Sequence, residues 1–176
     1  ASGFYLYLRP GLPPVEQLLD IKLQTPLRVY SADDKLIAEF GEKRRAPVTI
    51  EQIPTIQLHA FMAAEDARFY EHFGVDFKGL MRAAIELVST GEIQSGGSTV
   101  TMQVAKNYFL SRDRTFIRKF NEILLALQIE RELDKNRIME LYLNKIYLGN
   151  RAYGIAAAAQ VYYDKPVTEL SLAEMA

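Results

Sequence analysis

The sequence has 176 residues and a formal net charge of −1, from 21 Lys and Arg residues against 22 Asp and Glu residues. Apolar residues make up 49% and charged residues 24%, which is ordinary for a globular domain and excludes disordered, collagen-like and low-complexity chains. The near-zero charge disfavours a dedicated nucleic-acid binder, and the lack of Cys excludes disulfides, thiol catalysis and thiolate zinc sites.

The N-terminal residues form a stub and a linker. Residues 4–8 are aromatic and apolar and are followed by Arg9-Pro10, which fits either the end of a removed membrane anchor or a frayed terminus. No apolar run reaches the roughly 18 residues that a membrane span needs. Four prolines between positions 10 and 26 predict an extended linker. We therefore interpret residues 1–26 as a membrane-proximal stub and linker.

The rest of the chain is predicted to be mainly α with a small N-terminal β-hairpin. Residues 27–48 predict the hairpin and a further linker, because two short apolar runs flank a turn at 32–34. Glycines separate the later helical patterns, and Ser171 to Glu174 predict a capping box that opens a last helix. The predicted helices are 50–70, 76–90, 98–110, 113–132, 135–148, 152–163 and one from 171. Residues 49–176 are then the main domain, which we expect to be truncated at its C-terminal end.

A carboxylate lies on the predicted apolar face of the first helix. Glu65 comes seven residues after Leu58 and four before Phe69, both of which mark that face. Burial would raise the pKa of Glu65 and suit it to general acid/base catalysis. Asp66 points about 100° away, so the two carboxylates do not form a shared-proton pair. The structural alternative is that Glu65 pairs with a buried Arg or caps the backbone.

Residues 94–99 (QSGGST) precede the helix that carries Gln103, Lys106 and Asn107. Glycine N–H groups and a helix N-terminus favour an anion, whereas a flexible loop with a serine cap is the alternative. The spacing lets Gln103, Lys106 and Asn107 share one helix face.

A basic strip follows. Between Val104 and Asn121 there are five basic residues and one acidic residue. Arg118, Lys119 and Glu122 share a helix side that continues through apolar residues, so this side either lines a cleft or carries an ordinary Arg118–Glu122 surface pair. The basic residues are Lys106, Arg112, Arg114, Arg118 and Lys119.

The helix at 77–88 is amphipathic. Lys78, Arg82 and Glu86 follow one face, and the opposite side is broad and apolar. Such a helix either packs on a core or inserts into a bilayer interface.

In this order the segments resemble the five motifs of the peptidoglycan glycosyltransferases, also called family 51. Residues 30–45 also look like the segment that precedes this domain in class A penicillin-binding proteins of the 1a type. Met102 departs from the family, which usually has Gln there, so we expect no ligand role for it. The matching segments are Glu65–Gly74, Gly97–Asn107, Arg118–Glu122, Ile138–Asn144 and Arg151–Tyr163.

The resemblance implies a lysozyme-like helical fold that polymerises lipid II into β-1,4-linked glycan strands and releases undecaprenyl pyrophosphate. It places this reaction on the periplasmic face of the cytoplasmic membrane and implies binding of the growing strand and of moenomycin-type inhibitors, but no nucleic acid. A Mg²⁺ or Mn²⁺ ion and no organic cofactor are expected. Ser-x-x-Lys and Lys-Thr-Gly are absent from the printed sequence, so a transpeptidase domain would lie beyond residue 176.

The resemblance also implies residue roles. Glu65 is the general base for the acceptor hydroxyl, and Glu122 is a second catalytic residue that positions a divalent cation or holds the basic groups. Substrate and pyrophosphate binding falls to Ser98, Thr99, Gln103, Lys106, Asn107, Arg118, Lys119 and Lys165. Supporting roles fall to Asp66, Phe69, His72, Glu140, Asn144 and Arg151.

Two other functions are alternatives. A lysozyme or lytic transglycosylase would share the fold and a central Glu, and a non-catalytic module would bind lipid-linked sugars without turnover. The basic strip favours the polymerase, because cleavage of neutral sugar links needs no pyrophosphate site.

Overall fold

The structure is a computed structural model that describes residues 13–18, 27–33, 35–40, 47–91, 97–110 and 116–175. Some features noted in the sequence lie outside these residues, namely the stub at 4–8, residues 41–46 of the predicted linker, residues 92–96 before α3 and both Arg residues of 111–115. The chain divides into two compact units. The first consists of residues 1–20 and 61–139, and the second of residues 21–60 and 140–176.

The described part of the chain is mainly helical, as predicted. Strands β1 (Leu27–Tyr30) and β2 (Leu36–Phe40) pair antiparallel, with Leu27 opposite Phe40. Short 3₁₀ helices occupy Val15–Leu18, Ile50–Gln52 and Val167–Glu169. The α-helices are α1 (Thr55–Glu65), α2 (Phe77–Thr90), α3 (Val100–Phe109), α4 (Phe116–Glu132), α5 (Lys135–Lys145), α6 (Ile155–Tyr163) and α7 (Leu172–Met175). None of the helices in the described ranges has both the length and the apolar character needed to cross a membrane.

The predicted helix at 50–70 is wrong at both ends. Gln52 accepts a hydrogen bond from the Thr49 N–H at 2.9 Å, but this start signal opens only a 3₁₀ turn. Helix α1 starts at Thr55, because Pro54 has no N–H to continue the earlier turn and instead supplies the carbonyl that accepts the first helical bonds. At the other end α1 stops at Glu65, and residues 66–74 form turns and bends.

The core of the first unit lies between α3 and α4. Leu125 and Ile129 of α4 are fully buried, which agrees with the prediction that this helix is central. The 3₁₀ helix Val15–Leu18 also packs on α4, with Leu18 fully buried, so the prediction of an extended linker is wrong for these four residues. Met102 of α3 is fully buried in a cluster with residues of α4, so its side chain has no access to a ligand.

In the second unit, two polar side chains of α5 brace the segment before α1. The Asn144 amide pairs with the main chain of Val48, accepting its N–H at 2.9 Å and donating to its carbonyl at 2.7 Å. Glu140 Oε2 accepts the Ile50 N–H at 3.0 Å. Gly154 has a φ of +90°, and a Cβ there would lie 2.9 Å from the Asn144 carbonyl oxygen. This position therefore needs glycine.

Candidate active site

Glu65 is the last residue of α1 and lines an open cavity of about 330 Å³ in the first unit. Its side chain is exposed, so the predicted burial of this carboxylate is wrong. The predicted apolar face of α1 is only half-buried at Leu58, Phe61 and Met62, and the helix ends before the buried Phe69, so no buried stripe continues through Glu65. Gln103 Nε2 donates to Glu65 Oε2 at 2.8 Å and so orients the carboxylate. Other residues that line the cavity are Arg68, Asp76, Arg82, Ser98 and Thr99.

The neighbouring carboxylate, Asp66, is buried and ties the end of α1 to the start of α3. Asp66 Oδ2 accepts the Val100 N–H at 3.0 Å, and His72 Nε2 lies 2.9 Å from the same oxygen. An anionic side chain at a helix N-terminus satisfies a free N–H group and complements the helix dipole. Asp66 therefore fixes the N-terminus of α3 beside the end of α1. This places Gln103 of α3 close to Glu65.

Thr99 caps α3 and joins it to the end of the turn at 66–74. Its hydroxyl accepts the Met102 N–H at 3.1 Å and donates to the Gly74 carbonyl at 2.6 Å. Gly74 lies directly against α4 with a φ of +79°, and a Cβ there would be 2.7 Å from the Ala126 carbonyl oxygen. The hydroxyl of Thr99 is thus used by the fold, although the residue also lines the cavity.

Arg118, Lys119 and Glu122, which we call the basic cluster, lie near the start of α4, next to the cavity. Glu122 accepts hydrogen bonds from Arg118 and, at 2.8 Å, from Lys119, and its side chain is only 3% exposed. Lys119 Nζ also donates to Ser98 Oγ at 2.6 Å. The cluster is therefore no ordinary surface pair. Two cations share one carboxylate, which leaves a net charge of +1 beside a residue that lines the cavity.

The donor set at Glu122 does not fit a Mg²⁺ or Mn²⁺ ion. Both carboxylate oxygens already accept hydrogen bonds from cationic side chains. The two positive charges beside this carboxylate also repel a further cation. Of the two roles expected for Glu122, the contacts match that of holding Arg118 and Lys119.

The other predicted site residues are spread over both units. Lys106 is exposed and Asn107 is half-buried, both on α3. In the second unit, Arg151 is exposed in a left-handed turn with a φ of 61°, and Lys165 pairs with Glu174 at 2.7 Å. Hydrogen bonds from Lys165 and the Ser171 N–H lower the pKa of Glu174 to about 2. The Ser171 contact is half of the predicted capping box of α7.

Sequence reasoning missed an ion pair that lines the cavity. Arg68 Nε donates to Asp76 Oδ2 at 3.2 Å, and Asp76 Oδ1 accepts the Gly79 N–H at 2.9 Å. Burial opposes ionisation of Asp76, but the Gly79 N–H and the Arg68 guanidinium outweigh it and lower the pKa of this carboxyl. An Asp directly before an apolar helix is a cap signal that would have found this residue.

Sequence reasoning also missed a buried carboxylate, Glu130, and its partner Lys135. Glu130 lies near the end of α4, between the buried residues Ile129 and Leu133, and its side chain is 3% exposed. Buried charged residues are rarely left without a partner, so a Glu between two core positions is itself a signal of a buried ion pair.

Comparison with known proteins gives a consistent family. A family model described as "Transglycosylase" matches residues 33–176. The chain is 66% identical over 175 residues to penicillin-binding protein 1A of Pseudomonas aeruginosa, which covers 99% of this chain and 21% of that protein. It is 56% identical over 174 residues to penicillin-binding protein 1A of Escherichia coli K12, with 99% and 20% covered.

A crystal structure of penicillin-binding protein 1A from Haemophilus influenzae matches with 32% identity and a TM-score of 0.40, over 88% of this chain and 13% of that one. The chain spans about a fifth of the length of the curated relatives it matches.

Proposed function

The chain belongs to the transglycosylase family, and from this premise we propose that it is a peptidoglycan glycosyltransferase. Its substrates in this proposal are lipid II and a growing glycan strand on undecaprenyl pyrophosphate, and its product is a β-1,4-linked strand. The observation that carries the proposal is the exposed Glu65 carboxylate, held by Gln103 in a cavity beside a basic cluster.

Glu65 acts as the general base. Its Oε2 accepts the Gln103 amide, which leaves Oε1 to accept a proton from the 4-hydroxyl of the acceptor lipid II. A base must reach the hydroxyl it deprotonates, and the exposed position of Glu65 at the cavity supports this role. As the proton moves to Glu65, the hydroxyl oxygen bonds to the anomeric carbon of the donor. The bond from that carbon to the pyrophosphate breaks, and the configuration inverts.

The basic side chains stabilise the leaving pyrophosphate. Arg118, Lys119 and Glu122 together carry a net charge of +1, and the exposed Lys106 adds a second positive charge. Preorganised cations lower the energy of a transition state in which negative charge develops on the departing oxygen. Ser98, next to both Lys119 and the cavity, supports a phosphate position between the cluster and Glu65.

The outer face of α2 supports a location at the periplasmic surface of the cytoplasmic membrane. Four apolar side chains on this helix are strongly exposed while Leu80, on its other side, packs against the core. Exposed Lys78 and Arg82 lie together along one side of this surface, as expected for a helix that lies on anionic lipid. The exposed residues, which we call the α2 stripe, are Phe77 (67%), Met81 (65%), Ile85 (62%) and Val88 (88%).

Strand synthesis from labelled lipid II tests the proposed activity. Glu65→Gln should lower the rate by about 10²–10⁴-fold or more, because it removes the base and keeps the shape of the side chain. Glu132→Gln, at an exposed carboxylate at the end of α4, is the matched control and should polymerise normally. Near-normal synthesis by Glu65→Gln, or fragments released from finished glycan without any strand growth, would refute the proposal.

Sedimentation with vesicles tests the proposed location. Met81→Ser with Ile85→Ser should weaken binding to vesicles that contain anionic phosphatidylglycerol, because the pair removes the centre of the α2 stripe. Ile56→Ser, at an apolar residue of α1 that is 53% exposed, is the control. Equal binding by the α2 variant and the control would exclude this surface as the membrane contact.

A further inference from the structure

A charged pair, Lys135 and Glu130, holds the turn at 66–74 and has no part in the mechanism proposed above. Lys135 Nζ donates to Glu130 Oε1 at 2.7 Å, and Thr101 Oγ1 donates to the same oxygen at 2.6 Å. This single carboxylate oxygen therefore joins α3, α4 and the start of α5 within the first unit.

The ammonium group of Lys135 also reaches the turn itself. It donates to the carbonyl oxygen of His72 at 2.8 Å and lies 4.4 Å from the centroid of the Phe69 ring. Phe69 is 1% exposed, so this cation–π contact is shielded from water, where such contacts are strongest. Lys135 thus holds both the main chain and the buried aromatic side chain of the turn.

The held turn carries the groups that place the base. The His72 ring contacts Asp66, and Asp66 accepts the Val100 N–H at the first residue of α3. Helix α3 then presents Gln103 to Glu65 at 2.8 Å. A shift in the turn would pass along these contacts to the orientation of the Glu65 carboxylate.

We propose that Lys135, paired with Glu130, is a positioning residue that sets the orientation of Glu65 for proton transfer. This inference rests on the proposed function, since it concerns the same base. Lys135 contacts the turn and Glu130 rather than Glu65, so its loss should lower kcat and leave the KM for lipid II nearly unchanged. Displacement of a reacting group by about 1 Å can cost on the order of 10²-fold in rate.

Hydrogen exchange of single amides, measured by NMR, tests the physical part of the inference. In Lys135→Met, which keeps the length of the side chain and removes its charge, the Val100 amide should exchange about tenfold faster. The amide of Ala126, in the fully buried interior of α4, should change much less. Equal acceleration at Val100 and Ala126, or none at Val100, would overturn the inference, because the pair would then stabilise the whole unit or nothing near α3.

Steady-state strand synthesis tests the catalytic part. Lys135→Met should lower kcat about 10- to 100-fold at unchanged KM, and Lys135→Arg should recover much of this loss because it keeps a cation beside Glu130. Lys35→Met removes an exposed lysine that is paired with Asp33 at 3.0 Å, and it should leave kcat unchanged. A wild-type kcat in Lys135→Met, or a rise in KM alone, would overturn the inference.

A replacement variant and a measurement that needs no enzymatic activity separate failure of this inference from failure of the proposed function. If Lys135→Met does not fold, Glu130→Gln replaces it, because loss of the carboxylate charge weakens the hold on the Lys135 ammonium while the amide oxygen can still accept from Thr101. The same selective change at Val100 is expected there, and its absence would overturn the inference. A wild-type chain that makes no strands would refute the proposed function, and exchange at Val100 would still decide whether Lys135 holds the turn.

Discussion

Replacing Gly74 with Ala should destabilise the first unit, because this backbone position is both left-handed and in contact with α4. The φ of Gly74 is +79°, and an added Cβ would lie 2.7 Å from the carbonyl oxygen and 2.9 Å from the carbonyl carbon of Ala126. These atoms belong to the backbone of a buried helix and cannot move aside as the end of a side chain can. The change therefore combines conformational strain with overpacking.

The size of the effect follows from these two terms and one opposing term. A left-handed conformation costs a residue with a Cβ about 1–2 kcal/mol, and overpacking a closely packed site costs about 1–3 kcal/mol. The lower entropy of the unfolded chain returns about 0.4–1 kcal/mol when Gly becomes Ala. The free energy of unfolding should therefore fall by about 1–4.5 kcal/mol, a large share of the roughly 5–15 kcal/mol typical of a domain.

Gly91 is the matched control, because its φ is +74° and a Cβ there would meet no atom within 4 Å. Gly91→Ala should lower the free energy of unfolding by the conformational strain minus the gain from the lower entropy of the unfolded chain, which is about 0–1.5 kcal/mol. Urea unfolding followed by far-UV circular dichroism measures both variants, since the chain has no Trp. Equal losses of stability in the two variants, at an unchanged m-value, would refute the close approach of the turn to α4.

Two further predictions concern the second unit. The Glu174 carboxyl should titrate near pH 2 rather than 4.5 in an NMR titration, and its stabilising pair is therefore fully present above pH 4.5 and lost as the pH falls through about 2. Lys165→Met should move this midpoint up towards 4.5, and an unmoved midpoint would contradict the pair. Asn144→Leu should lower the free energy of unfolding in urea by about 1–3 kcal/mol, because it leaves the N–H and C=O of Val48 without their partner. A loss below about 0.5 kcal/mol would show that water replaces the amide.

Much of the helical framework follows from local patterns. The apolar spacing predicts a helix over 76–90, and α2 occupies Phe77–Thr90. The pattern over 113–132 likewise corresponds to α4, which begins at Phe116 and ends at Glu132. Helix periodicity and caps act within a few residues, so such elements can be read from neighbouring side chains.

Part of the site can also be recognised from the chain alone. Gln103 and Lys106 lie on α3, and Lys119 and Glu122 lie within three residues of each other on α4, as their spacing requires. The spacing of residues along the sequence does not show which partner each charged side chain has. The sequence leaves open whether Glu122 lines a cleft or forms an exposed pair with Arg118, whereas in the structure the carboxylate is buried and shared by two cations.

The exposure of Glu65 depends on contacts that are distant in the sequence. Residues 66–74 leave the helix and fold against α3 and α4, where Asp66 pairs with Val100, 34 residues away, and Thr99 pairs with Gly74, 25 residues away. The same kind of contact joins Lys135 to His72 across 63 residues. Local patterns thus predict that the carboxylate lies inside a helix over 50–70, whereas the helix in the structure ends at Glu65. Whether it faces the core or a cavity depends on packing between remote segments, because burial and pairing are properties of the folded chain.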